Sequence, residues 1–493
     1  MNARTDLARH SDQRLLPDSS RVIMKLYFPG EEIATNHSRV GIVVDRVMSI
    51  DEVEIESLAS DIVNRFGARH SDLVGRLKLN ASRVASRIAA EADLSEARTT
   101  VMGAAFSAEF AVEGAALCNP SVVAHPDQSG LTVGELRVAV SLRCIGEGHQ
   151  SSIGFATAVI SADRQWLFDK RQSPLTVGVP QESVWDLDAF RSVLEGLDLI
   201  DDAAHNALAE LDETFIADDL QRIFGELPPD LARRPFARES FEALLRVAAS
   251  RYESRFPDDL DLSQQILMHV LDDERSGIED ARFVLFTETD GTTHYRATYT
   301  AFNGRDIACR MLKSEDLHVF TMMPISGPST RNKGMALFPR RIGGEFVAMC
   351  RSDGETNSIT RSADGVRWGE PVLVHEPLFS WEFVQVGNCG SPIETKAGWL
   401  VLTHGVGAMR TYAIGAMLLD LDDPERVIAR LEGPLLSPIL EERDGYVPNV
   451  VYSCGGVVHD NTLWLPYGID DSRIGVASVD IEELLHTMTP VAS

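Results

Sequence analysis

Positive charge is what this chain has least of. Its 46 lysines and arginines face 74 aspartates and glutamates, for a formal net charge of −28. Nucleic acid and anionic membrane both call for a basic patch, so neither is expected as a partner. No run of 18 apolar residues occurs, so no membrane-spanning helix is expected. The six cysteines (Cys118, Cys144, Cys309, Cys350, Cys389 and Cys454) are scattered, with no C-x-x-C pair. That pattern suits buried thiols in a reduced, cytoplasmic protein. The 13 histidines are dispersed without H-x-x-x-H spacing, so no metal site is expected. A P-loop, a dinucleotide fingerprint and a nucleophile elbow are also missing, which removes the commonest nucleotide and acyl-transfer chemistries. The first twenty residues are polar, lack the apolar segment of a signal peptide, and are expected to form a mobile tail.

What is present is an ordinary globular composition, 44% hydrophobic and 24% charged, in 493 residues. That length suggests two or three domains. Residues 22–28 and 40–44 read as strands. Residues 51–66 carry apolar side chains at helical spacing, with Asp51 as N-cap and Glu54 three positions on; a second helix is expected over 71–90. From Ala111 the pattern changes to strands joined by Gly, Asp and Pro turns, at 122–124, 136–143 and 153–160. Residues 184–275 turn helical again (184–199, 201–224, 240–255), and from 276 onward short strands and turns dominate. The helical stretch therefore reads as an insertion in a β region. A weak repeat supports one β architecture on both sides of it. Ser161-Ala162-Asp163-Arg164-Gln165-Trp166 echoes Ser362-Ala363-Asp364-Gly365-Val366-Arg367-Trp368, with a looser copy at Ser314–Phe320. A Ser-x-Asp turn between strands fits, because these short polar side chains bond their own backbone. Units of about 50 residues are the period of propeller blades.

Five stretches carry polar clusters that packing does not require. They are Ile278-Glu279-Asp280-Ala281-Arg282, Ala336-Leu337-Phe338-Pro339-Arg340, Gly398–Val406 with its Thr403-His404-Gly405, Tyr446–Val451 with Pro448-Asn449, and Tyr467-Gly468-Ile469-Asp470-Asp471. Their order and spacing resemble glycoside hydrolase family 130, whose members are β-mannoside phosphorylases and β-mannosidases on a five-bladed β-propeller. The resemblance is good over 276–493 and weaker over 100–183; it does not extend to 1–98 or 184–275.

The resemblance implies roles residue by residue. Asp280 matches the catalytic acid of a Glu-Asp-Pro-Arg motif whose Pro is Ala281 here. Read from the residues alone, Asp280 is a strand cap paired with Arg282 or Arg275. Glu279 would accept a sugar hydroxyl. Arg351 and His404 match two members of a phosphate cradle, and Gln385 stands where the resemblance puts a lysine; Lys333 would compensate. Without the resemblance, Arg351 reads as a turn ion pair and His404 as a core histidine beside Trp399. Asn119 and Arg143, with Pro448, Asn449 and Asp471, match positions that bind mannose hydroxyls. Tyr412, Tyr446 and Tyr467 beside them serve either as sugar platforms or as core. The loop Gly146–Ser152 has no counterpart in short family members; its Glu147 and His149 read as a hydrolytic base, an extra substrate contact or a plain surface turn.

The expected fold is mainly β: a five-bladed β-propeller with an N-terminal α/β cap (1–98), a first blade region (99–183), a helical insertion (184–275) and the remaining blades (276–493). The expected function is inverting phosphorolysis of a β-mannoside to mannose 1-phosphate and a shortened acceptor. Inorganic phosphate serves as co-substrate and no cofactor is expected. Expected partners are thus a small oligosaccharide and phosphate. The alternatives are an inverting β-mannosidase, with Glu147 or another carboxylate as base, and a carbohydrate-binding propeller without turnover. The insertion, with apolar stripes at Leu194/Leu197 and Leu208/Leu211/Phe215, is expected to roof the site or, as its second role, to form a homo-oligomer contact.

Overall fold

The computed structural model describes residues 7–29, 39–84, 94–226 and 235–491, and the chain is mainly β. The expected helix 71–90 is present as Leu73–Val84, its last part lying outside the described residues.

The amino-terminal unit pairs two strands, Val22–Leu26 and Ser107–Ala111, antiparallel. Between them run helices Arg39–Ser49, Glu52–Phe66, Leu73–Val84 and Glu96–Ala105. Residues 40–44 are therefore helical, contrary to the strand expected there. Val40, Val44 and Val47 fall at i, i+4, i+7 and are buried against Ile55, Met102 and Phe106. That helical stripe outweighs the β preference of a short valine-rich run. Asp51 caps the next helix as expected, accepting from the Glu54 amide at 3.0 Å. Gly103 lets two helices touch: a Cβ there would lie 2.0 Å from the Leu77 carbonyl oxygen.

Antiparallel strand groups then follow one another. Ala116–Ala124, Leu136–Ile145, Ser151–Ile160 and Trp166–Phe168 form the first. Gly277–Thr287, Thr293–Phe302, Ile307–Ser314 and Val319–Pro324 form the next, joined to the first by a parallel pairing of Gly277 with Ser151. A sheet built from 336–375 follows, then one built from 385–430. The last comprises Val451–Tyr452, Val457–His459, Thr462–Ile469 and Arg473–Asp480. Its edge is filled from the other end of the chain, by Arg9–Leu15 pairing with Arg473–Asp480. The expected mobile tail is thus in part a strand. An open sheet edge offers unpaired backbone groups that even a polar segment can satisfy. The three Ser-x-Asp repeats occupy one position, the turn after the third strand of three of these groups. In each the serine hydroxyl accepts a backbone amide, from Gln165, Leu317 and Gly365.

The helical segment leaves after Val179–Glu182 and returns at Tyr252–Arg255, two strands paired with each other on the edge of the 277–324 sheet. Its helices Leu187–Gly196, Asp202–Glu210, Ala217–Glu226 and Pro235–Ala249 enclose their own core around Phe190, Leu194, Leu208 and Phe215, while Leu197 stays exposed. It docks on the turn 362–368 through Ser192 with Asp364 and Glu195 with Arg367. All six cysteines are buried and free.

Candidate active site

The strand Gly277–Thr287 slips register between Glu279 and Arg282, and Asp280 in that bulge adopts φ 55°. The strand Ala116–Ala124 slips likewise between Cys118 and Ser121, with Asn119 at φ 50°. Asp and Asn are the side chains that best tolerate this left-handed region, at a cost of roughly 1–3 kcal/mol each. The two bulges meet: Asn119 Nδ2 donates to Asp280 Oδ1 at 2.6 Å, and the Phe283 amide donates to Ser121 Oγ at 3.0 Å. Arg282, fully buried, fixes the strained backbone from below. Its guanidinium donates to the Asp280 carbonyl at 3.0 Å, to the Cys389 carbonyl at 2.9 Å and to Tyr452 Oη at 2.8 Å.

Asn119, Glu279 and Asp280 line one cavity of about 390 Å³ together with Arg143, Lys333, Arg351, His404 and Asp471. Eight expected residues spread over more than 350 positions therefore converge. Arg143 is the hub of the acidic side. It donates to Glu279 Oε1 at 2.7 Å and to Ser151 Oγ at 3.0 Å, and lies 3.5 Å from Asp280 Oδ1. Burial pushes all three carboxyls up. For Glu279 burial prevails over Arg143, so it stays raised; Asp471 is lifted to about 6. At Asp280 the opposing pull of Arg143, Lys333 and Arg282, with the Asn119 hydrogen bond, wins and holds the carboxyl below its ordinary value.

The basic side is less neutralised. Among the described residues no carboxylate lies within ion-pair distance of Lys333 or Arg351. Arg351 Nη1 donates to His404 Nε2 at 3.1 Å. Burial first, then the nearby Arg351 and Arg282, hold His404 neutral. Glycine at 387 permits this pair, since a Cβ would sit 2.3 Å from His404 Cε1. Gln385 lines the same wall. Arg410, His149 and Tyr446, all exposed, line the open side of the cavity, and half-buried Tyr412 lines it as well.

Three expected residues lie elsewhere, and of its two readings Tyr467 takes the core one. Glu147 is exposed and does not line the cavity; its turn instead presents His149, at φ 60°. Pro448 is exposed, and Asn449, at φ 63°, uses its carbonyl to accept from the Tyr412 amide at 3.0 Å. Their neighbours Val447 and Val450 line the cavity instead. Tyr467 is core: it is fully buried and donates to Glu442 at 2.7 Å. Nor do the described residues of 184–275 roof the site, since none of them lines the cavity. The segment docks at 362–368, the far end of the strand Asn357–Ser362 from Arg351. Sequence reasoning missed Tyr452 and Arg410. Tyr452 adjoins a motif stretch, but Arg410 has no local signal.

The model of the glycoside hydrolase 130 family, described as beta-1,4-mannooligosaccharide phosphorylase, matches residues 262–490. A 1,2-beta-oligomannan phosphorylase from Thermoanaerobacter sp. (strain X514) is 35% identical over 228 residues, 45% of this chain and 75% of its own. The chain belongs to glycoside hydrolase family 130. A second family relative, the beta-1,2-mannobiose phosphorylase of Listeria innocua, is 29% identical over 58% of this chain and 80% of its own. A solved structure of the beta-1,2-mannobiose phosphorylase from Listeria innocua with beta-1,2-mannobiose covers 77% of this chain and 92% of its own, at 24% identity and a TM-score of 0.46. The family match begins after the amino-terminal unit and most of the helical segment.

Proposed function

We propose that this family 130 chain catalyses inverting phosphorolysis of a β-mannoside, yielding mannose 1-phosphate and a shortened acceptor. The carrying observation is the pairing in one cavity of a buried carboxylate, Asp280, with the cations Lys333 and Arg351, neither of which has a carboxylate within ion-pair distance among the described residues. A phosphorolytic site needs one acid and an anion cradle, because phosphate is itself the nucleophile. An inverting hydrolytic site needs a second carboxylate to activate water. Phosphate attacks the anomeric carbon as the bond to the leaving oxygen breaks, and that oxygen takes a proton supplied by Asp280, relayed through a mannose hydroxyl. With the cavity empty, Asp280 favours the ionised form. A phosphate anion beside Lys333 and Arg351 offsets the charges that hold its pKa down, so phosphate binding prepares the acid. Arg143, Glu279, Asn119 and Asp471 hold the mannose hydroxyls. The relatives' names support β-1,2-linked mannobiose as the first substrate to test. The six free thiols support a reducing, cytoplasmic setting.

We further propose that the strand groups are five propeller blades around this cavity, built on 116–168, 277–324, 336–375, 385–430 and 451–480. The strand Arg9–Leu15 would complete the last blade and close the ring.

One observation favours hydrolysis as a second reading: Asp471, lifted to about 6, is suited to act as a general base. Replacement of Arg351 separates the two. Charge-assisted bonds to phosphate contribute about 1.5–3 kcal/mol, so Arg351→Ala should raise the phosphate KM at least roughly tenfold and leave the sugar KM nearly unchanged. Equal changes in both constants would remove Arg351 from the phosphate role.

A further inference from the structure

The amino-terminal unit lies outside the family match, yet it grips the cavity mouth at one turn. Lys25 and Phe110 lie on its paired strands Val22–Leu26 and Ser107–Ala111. The Phe110 ring sits against Gly146, where a Cβ would lie 2.3 Å from its Cζ, so only glycine admits the contact. Lys25 Nζ lies 3.3 Å above the centre of that ring and donates to Gln150 Oε1. Gln150 is fixed again on its amide side, donating to the Arg275 carbonyl at 2.9 Å and meeting His269 Nδ1 at 3.2 Å. Between Gly146 and Gln150 stands His149. Its ring stacks on Tyr446, with centroids 5.6 Å apart and planes 18° apart, and its Nδ1 accepts from Tyr446 Oη at 2.5 Å.

Both rings line the cavity, and they do so at its open end. Tyr446 is 46% exposed, whereas Asp280 and Asn119 at the other end are 4% and 7% exposed. A sugar whose anomeric carbon reaches Asp280 sends its glycosidic partner outward, toward this pair. Flat aromatic faces with a polar edge suit a pyranose ring. Burial, with Arg143 nearby, keeps His149 neutral, so Nδ1 remains an acceptor for the tyrosine hydroxyl.

We propose that His149 and Tyr446 form the platform for the sugar on the leaving-group side of the scissile bond, and that the amino-terminal unit positions this platform through Lys25 and Phe110. The inference rests on the sugar-binding reading of the cavity and does not require phosphate. Lys25, Phe110 and Gln150 are positioning residues, because they act through His149.

The test is calorimetric titration of Asp280→Asn protein, without phosphate, with β-1,2-mannobiose and with mannose. Adding Lys25→Met should weaken mannobiose binding roughly three- to tenfold, the scale of one ring contact, and leave mannose unchanged. Gln150→Leu, on the other side of the same contact, should do the same, and it decides the matter if Lys25→Met fails to fold. In a His149→Ala background neither change should have further effect. Unchanged mannobiose affinity, equal weakening of both sugars, or an effect that persists without His149 would overturn the proposal. A platform that behaves as expected in a wild-type protein that does not consume phosphate would overturn the proposed reaction alone. Phosphorolysis with mannobiose affinity indifferent to Lys25 and Gln150 would overturn the platform alone.

Discussion

Asp280 and Asn119 each occupy a backbone conformation that most residues avoid, and each is held there by the other and by Arg282. Such strain persists only where surrounding contacts over-determine it, and here it turns two side chains of neighbouring strands into one cavity. Asn at 280 keeps the shape and tolerates the same φ, so Asp280→Asn should fold normally by circular dichroism and lose at least roughly a hundredfold in kcat, the scale of general acid catalysis. Near-normal turnover would remove Asp280 from the acid role. Asp471 gives a stability test. Its folded pKa, about 6, lies above the unfolded carboxylate value, so ionising it costs more in the folded chain than in the unfolded one. The stability it permits is present at the acid end and lost as pH rises through 6. Asp471→Asn should therefore be more stable than wild type at pH 7.5, by on the order of 2 kcal/mol, with no gain near pH 4. An equal shift in melting temperature at both pH values would contradict this. Asp280 and His404 were legible in the sequence as candidates for one site because they sit in short motifs, and Arg143 and Arg351 because each ends a β run. Arg282 was visible only as a neighbour of Asp280, because its three acceptors come from residues 280, 389 and 452. The His149–Tyr446 stack joins positions 297 apart, and no local pattern encodes it.

At the level of elements, the sequence disclosed what local rules govern. Asp51 and the Glu54 amide form a cap that spacing alone reveals, and the Ser-x-Asp turns recur because each solves the same corner. Residues 40–44 misled because five residues are too few to separate a period of two from one of 3.6. Arg9–Leu15 could not be read as a strand, since its pattern is polar and its pairing partner lies more than 450 positions away. The helical segment was legible as helices but not in its placement. It buries its own stripes except at Leu197 and rests on the 362–368 turn, away from the cavity. Replacing residues 184–251 with a short Gly/Ser linker should leave disaccharide turnover and chain-length preference within about twofold of wild type, although stability falls with the lost apolar contact. A changed preference for longer mannosides, measured by product profile, would restore a role for the segment at the site.

The whole molecule brings residues 119, 143, 280, 333, 351, 404 and 471 to one cavity, and carries an amino-terminal unit that reaches its mouth. In a protein of net charge −28, gathered cations favour holding an anion, and Lys333 and Arg351 line one cavity with no carboxylate in ion-pair distance of either among the described residues. Gln385, in place of the expected lysine, makes the number of cradle cations the feature on which phosphorolysis or hydrolysis turns. The most direct measurement is phosphorus-31 and proton NMR of wild-type protein with β-1,2-mannobiose, with and without inorganic phosphate. The expected result is one mannose 1-phosphate of α configuration and one mannose per disaccharide consumed, with no turnover when phosphate is omitted. Two free mannoses per disaccharide, at a rate indifferent to phosphate, would contradict the account.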